Sequence, residues 1–161
     1  MNKITSKDNI DTIIKELEEI VGKENIIKNP DKINFFSSDI FYEPSEKLNL
    51  VVSPSTSQQV AKSIKLITEN NLAVIPRGGG MSYTAGYMAL IDGSVMIDLR
   101  KIDKIIEINE KDMYVTVGCG VTWKNLYEKL KKKGLRTPYF GPFSGMHATV
   151  GGALSQNSVF Y

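Results

Sequence analysis

Arg77-Gly78-Gly79-Gly80-Met81-Ser82-Tyr83-Thr84-Ala85-Gly86 is the stretch whose reading decides the rest of this chain. It follows an apolar run, Ala73-Val74-Ile75-Pro76, that has the look of a buried strand. Three successive glycines have no side chains to pack, and each loses more backbone freedom on ordering than any other residue. As scaffold, the run is a tight turn at a strand end. As a site, it offers a backbone that can curl around a ligand with several N–H groups converging, a concavity suited to anions and to phosphate above all. Arg77 at its mouth adds a permanent cation with a planar fork of donors.

Upstream, Leu48 to Val52 reads as a strand closed by Ser53-Pro54. Thr56 with Gln59 three residues on forms a capping box that opens a helix, with Val60, Ile64 and Ile67 as its buried stripe. Strand, helix and strand in so short a span predict a parallel pair joined by a right-handed crossover. The glycine loop then leaves the carboxyl end of the second strand, where α/β sheets place ligands. Further back, Ile10, Ile13, Ile14, Leu17, Ile20 and Val21 fall on one face of a helix spanning 8–21, stopped by Gly22. Residues 23–44 are irregular and read as loop or short strands, with Phe35-Phe36 and Phe41-Tyr42 flanking Ser37-Ser38-Asp39.

Downstream, Val95 to Leu99 is the next strand after the Asp92-Gly93 turn. Ile105 to Ile108 and Met113 to Val117 flank Asn109-Glu110-Lys111-Asp112 and predict a hairpin. Thr122 to Lys133 is a helix with Thr122 as N-cap, Trp123, Leu126, Tyr127 and Leu130 inward, and Gly134 closing it. A second glycine- and proline-rich region spans 138–152 and holds Gly141-Pro142-Phe143-Ser144-Gly145 and Thr149-Val150-Gly151-Gly152.

Composition bounds the reading. The 161 residues suffice for a real core, and a net charge of +2 gives no ground for nucleic acid or a membrane surface. Lys131, Lys132 and Lys133 sit at a predicted helix end, where cations are favoured by the dipole. One cysteine, Cys119, and one histidine, His147, supply neither an internal disulfide nor a metal cluster. The expected setting is reducing and cytoplasmic, with no membrane span.

Known nucleotide motifs fail on spacing. Counting five residues on from Gly78, Gly79 or Gly80 leads to no Lys-Ser or Lys-Thr, so there is no P-loop. The dinucleotide fingerprint needs a third glycine where Gly78-x-Gly80 has Tyr83 and Gly118-x-Gly120 has Trp123. Two glycine loops flanking mixed strands suit a long diphosphate ligand held by backbone amides instead. In this order and spacing, Pro76-Arg77-Gly78-Gly79-Gly80-Met81-Ser82-Tyr83, Gly118-x-Gly120-Val121 and Thr149-Val150-Gly151-Gly152 resemble the FAD-binding domain of the vanillyl-alcohol oxidase/p-cresol methylhydroxylase (PCMH) type. Within that family the likeness is greatest to the FAD-linked oxidases of the glycolate oxidase/D-lactate dehydrogenase group. Val51-Val52-x-Pro54-x-Thr56-x-x-Gln59-Val60 is similar to the family's opening strand and helix, and the resemblance covers roughly 38–157.

The resemblance implies an α+β fold of two subdomains, an N-terminal βαβ part followed by a larger mixed or antiparallel part, incomplete at its C-terminus. Residues 1–45 would be a helical and irregular lead-in, and 46–161 the FAD-binding domain. It implies FAD wrapped by Arg77, Gly78, Gly79, Gly80, Met81 and Ser82, with Tyr83 and Gly86 shaping the far side. Pro142, Ser144, Thr149, Gly151 and Gly152 would approach from the second loop, with Ser155 and Asn157 further candidates or turn caps. Relatives with a flavin-linked histidine carry it where this chain has Met81, and a thioether cannot form that bond, so FAD is expected to be non-covalent. The implied reaction is hydride transfer from a small donor, such as a 2-hydroxy acid, to the flavin. No residue pair stands out as its acid and base. A substrate-positioning domain is expected elsewhere, on this chain's continuation or on a partner chain that completes a non-catalytic half-domain. A different nucleotide-diphosphate enzyme, such as one for nucleotide sugars, is the remaining rival.

Overall fold

Leu50, Val51 and Val52 are buried without remainder, so the run Leu48–Val52 (β2) has to be covered on both faces. The computed structural model, which describes residues 7–39, 41–89, 91–138 and 144–158, with side chains from Ile10 onward, places it inside a four-stranded sheet. Ile26–Ile27 (β1) pairs antiparallel to one edge of β2, and Ser94–Asp98 (β4) pairs parallel to the other. Val74–Arg77 (β3) lies beyond β4, giving the order β1-β2-β4-β3.

This order departs from the direct parallel pair expected of the strands on either side of the crossover helix. The later strand β4 takes the inner place, and the chemistry of the two strands explains why. All five residues of β4 are buried, as suits an inner strand. β3 carries Pro76, which has no N–H to donate and belongs at a sheet edge.

Helices cover the sheet. Lys7–Val21 (α1) buries Ile13, Leu17 and Val21 and packs on Ser57–Glu69 (α3), where Gln59 Nε2 donates to the Ile20 carbonyl at 3.0 Å. Thr56 caps α3 through its hydroxyl, accepting from Gln59 N, while the Gln59 side chain reaches back to Ser55 N rather than to the cap's own amide. The buried stripe of α3 runs through Ser63 and Ile67, and Ile64, expected inside, is 38% exposed. The second cover is a helix, Pro30–Ser37 (α2), in a region expected to be loop or short strands, of which Ile26–Ile27 is one such strand. Asn29 accepts from Lys32 N and Pro30 sits in the first turn, a cap-and-proline start. Its Ile33 and Phe36 pack with Leu48, Val51, Met96, Tyr87 and Ala89.

A second core is built from the later chain. Ile105–Asn109 (β5) and Tyr114–Val117 (β6) form the expected antiparallel hairpin. Trp123–Lys131 (α4) buries Trp123, Leu126 and Leu130, whereas Tyr127, expected inward, is 42% exposed. Val150–Ser155 (α5) is a short helix in place of the expected loop. The chain thus forms two units, Met1–Pro76 with Ser82–Asp98, and Arg77–Met81 with Leu99–Tyr161.

Truncation within α3 separates the observed stripe from the expected one. Ile67→Ala should lower unfolding stability by about 2–5 kcal/mol, and Ile64→Ala by under about 1 kcal/mol, in urea or thermal denaturation. Equal losses at the two positions would contradict the observed face.

Candidate functional site

The glycine run is an excursion of the chain out of the first unit. Arg77–Met81 packs with the second unit, and what it packs against is the other glycine-rich segment. A Cβ on Gly79 would stand 2.7 Å from the His147 carbonyl carbon and 3.1 Å from Ala148 Cα. One on Gly78 would strike the Thr149 hydroxyl. The two segments therefore touch backbone to backbone, and glycine at 79 is required by its protein neighbour. The space a side chain at 79 would need is taken by the His147 carbonyl.

Gly80 turns the chain at φ +68, and a Cβ there would lie 2.5 Å from Arg77 Cζ. Arg77 is thus folded back under the loop and is 5% exposed, not displayed at a mouth. Met81 is also turned inward, packed against the cluster of Val121, Trp123, Leu126, Leu130, Ala148 and Ala153. These contacts fix the loop from below. Among the described residues none accepts a hydrogen bond from the amides of Gly79, Met81 or Ser82, all only half-buried. Backbone donors so placed have their partners still to find.

The second segment is arranged differently. Thr122 and Thr149 form an isolated antiparallel bridge, and each caps a helix, α4 by accepting from Asn125 N and α5 by accepting from Gly152 N. Val150 N donates to Val121 O at 2.8 Å and Gly151 N to Cys119 O at 3.0 Å. The amides of Val150, Gly151 and Gly152 are thereby engaged within the chain. Ser144 accepts through its carbonyl from His147 N and Ala148 N. Ser155 Oγ donates to Gly151 O at 2.8 Å, and Asn157 takes a left-handed φ of 49 at the end of α5. Pro142, with Gly141 and Phe143, lies outside the described residues. Burial pushes the half-buried Cys119 thiol above its ordinary range, so it is a packed residue and not a reactive thiolate.

Ser82, Tyr83 and Gly86 belong to the first unit. The Ser82 hydroxyl pairs with Thr84 Oγ1 at 3.1 Å, and Tyr83 and Gly86 are exposed. The residue that sequence reasoning passed over is Asp39. Its carboxylate accepts from Phe41 N at 2.8 Å, Tyr42 N at 2.6 Å and Ala85 N at 2.9 Å. Partial desolvation pushes its pKa up, but the amides of Ala85, Phe41 and Tyr42 outweigh this and hold it below the ordinary carboxylate value. An aspartate two residues before an aromatic pair was the available signal, an Asx turn.

Residues 48–161 match the model of a family described as FAD binding domain. The chain belongs to the FAD binding domain family. It is a PCMH-type domain homologous to FAD-linked oxidoreductases. It is 26% identical to D-lactate dehydrogenase [cytochrome] 1 of Saccharomyces cerevisiae, covering 92% of this chain and 26% of the relative. It is 28% identical to D-lactate dehydrogenase of Anaerostipes hadrus, covering 98% and 31%, and 24% to glycolate oxidase subunit GlcD of Bacillus subtilis, covering 89% and 30%. Solved structures of an alkyldihydroxyacetonephosphate synthase and of p-cresol methylhydroxylase with substrate bound share the fold. The first has TM-score 0.82 at 19% identity, over 90% of this chain and 29% of that one. The second has TM-score 0.72 at 20% identity, over 81% and 26%. This FAD binding domain therefore spans about a quarter to a third of the length of the curated relatives it matches. Among the described residues no helix is long and apolar enough to cross a membrane, and no cluster of three or more His, Cys, Asp or Glu side chains can hold a metal.

Substitution at Gly79 reads out the loop contact directly. Gly79→Ala should destabilise the FAD binding domain by about 1–3 kcal/mol through the His147 carbonyl, with Gly79→Val worse. A melt unchanged from the parent would show that the two segments do not touch.

Proposed function

We propose that this chain is the FAD-binding portion of an FAD-dependent oxidoreductase that takes hydride from a small donor such as a 2-hydroxy acid. The observation that carries the proposal is the loop Arg77–Ser82. It is braced from beneath by Arg77 and Met81, with the amides of Gly79, Met81 and Ser82 unengaged within the described chain. Unengaged backbone donors in a glycine-rich loop suit the oxygens of a diphosphate. Gly78, Gly80, Tyr83 and Gly86 complete the first loop's part. Ser144, Thr149, Gly151 and Gly152 act chiefly by shaping the segment against which that loop rests, with Pro142, Ser155 and Asn157 as further candidates at its margins.

Flavin, when bound, supplies the two-electron chemistry, and the protein supplies orientation and electrostatics. The chain's own contribution is to present backbone N–H groups at fixed positions while excluding side chains from the space above them. Binding is non-covalent here, because position 81 is a thioether turned into the core. The 2-hydroxy acid is supported by the names of the relatives, D-lactate dehydrogenases and a glycolate oxidase subunit. Groups that position the substrate lie outside this stretch, on the same polypeptide or on a partner chain.

Reconstitution tests the proposal. The protein incubated with FAD and desalted should be yellow, and acid precipitation should release all the flavin to the supernatant. Adenosine diphosphate should compete and uridine diphosphate sugars should not. A colourless protein with no measurable FAD affinity, or colour retained in the pellet, would refute the respective part of the reading.

A further inference from the structure

The segment Ser82–Gly86 has little to hold it. Tyr83, Thr84, Ala85 and Gly86 are exposed, so no apolar side chain anchors it. Ala85 has a φ of 58, a left-handed conformation uncommon for a residue with a Cβ. Next comes Tyr87, buried among Ile33, Phe36 and Met96. Within the segment, the described bonds of Ser82 and Thr84 run to each other, hydroxyl to hydroxyl and Thr84 N to Ser82 Oγ, and Ala85 O accepts from Met88 N at 3.3 Å. Among the described residues, the hydrogen bond that ties the stretch to a distant part of the chain is Ala85 N to Asp39 Oδ2.

Asp39 is itself immobilised for that task. Oδ1 accepts from Phe41 N and Tyr42 N, and its own amide donates to Tyr42 O at 3.1 Å, closing a turn on the carboxylate. One oxygen therefore builds the local turn while the other faces Ala85. An anionic acceptor of several N–H groups makes shorter and stronger bonds than a neutral one. The side-chain contribution to fixing this exposed, left-handed backbone thus comes from one carboxylate, whose described partners are Phe41, Tyr42 and Ala85 and none of the cofactor candidates.

We infer that Asp39 is a positioning residue, a clasp that holds Ser82–Gly86 in the shape that receives FAD. The inference rests on the FAD reading above, since Ser82, Tyr83 and Gly86 are its candidates in this segment. It assigns Asp39 a part in cofactor affinity although the residue lies in a different stretch, before the first long strand. The same carboxylate sets the turn that presents Phe41 and Tyr42, both exposed, so that turn and the clasped segment are held as one piece of the first unit.

Asp39→Asn dissects the two halves of the clasp. Asparagine keeps an acceptor oxygen for the Phe41 and Tyr42 amides and forms such turns readily. At Oδ2 it places an amide NH2 against the Ala85 N–H, donor facing donor. Amide hydrogen exchange on the full chain without cofactor should show Ala85 protection falling about tenfold, with Phe41 and Tyr42 close to the parent. Chymotryptic cleavage after Tyr83 should quicken in step, and FAD affinity should fall several-fold. Unchanged protection at Ala85 overturns the clasp, as does equal loss at Ala85, Phe41 and Tyr42, which would be general loosening. Faster exchange at Ala85 with parental FAD affinity overturns the positioning role. A parent that takes up no FAD refutes the cofactor reading, and with it this role, while the exchange data still decide whether Asp39 holds the segment.

Discussion

The backbone of Gly79 lies directly on the carbonyl of His147, and the seating of the glycine run depends on that approach. Two segments far apart in sequence meet there without side chains between them. The bridge between Thr122 and Thr149 fixes one partner, because the starts of α4 and α5 are stitched together and each is capped by its threonine. Arg77 and Met81 fix the other from below. The outcome is a loop braced on one side, with the amides of Gly79 and Met81 bonded to none of the described residues.

Parts of this were legible because single residues carry mechanical meaning. Thr56, Thr122 and Gly134 announce helix ends by their own hydrogen bonding or conformation, and the structure has a helix at each. The hairpin of β5 and β6 follows from two apolar runs around a polar turn. Even α2 was signalled, by Asn29-Pro30, but the aromatic residues after it masked the pattern. Phe35 is exposed and Phe36 is buried, so the pair shows no face when read alone.

What was hidden in the sequence is hidden for a physical reason: it depends on neighbours that are distant in the chain. Local pattern says that two strands flank a helix, not that a third will slide between them. Periodicity put Ile64 and Tyr127 inside, but helix rotation is set by the surface packed against: Ser63 lies inside on α3 in place of Ile64, and α4 buries the expected Trp123, Leu126 and Leu130 without Tyr127. The glycines announced close approach without saying to what. The run at 78–80 and the pair at 151–152 both meet protein, Gly151 standing 2.6 Å from Cys119 Cβ were it given a Cβ of its own. Asp39 was invisible for the same reason, since its third donor is 46 residues away.

The place of β4 also governs how the molecule can be made. β2 leaves the ribosome with one flank open, and β3 follows it out before β4, its proper neighbour, has emerged. The nascent sheet must keep that flank vacant while β3, a tempting but wrong companion, waits beside it. A proline in β3 makes it a poor substitute, so the residue that suits the finished edge also guards the unfinished centre.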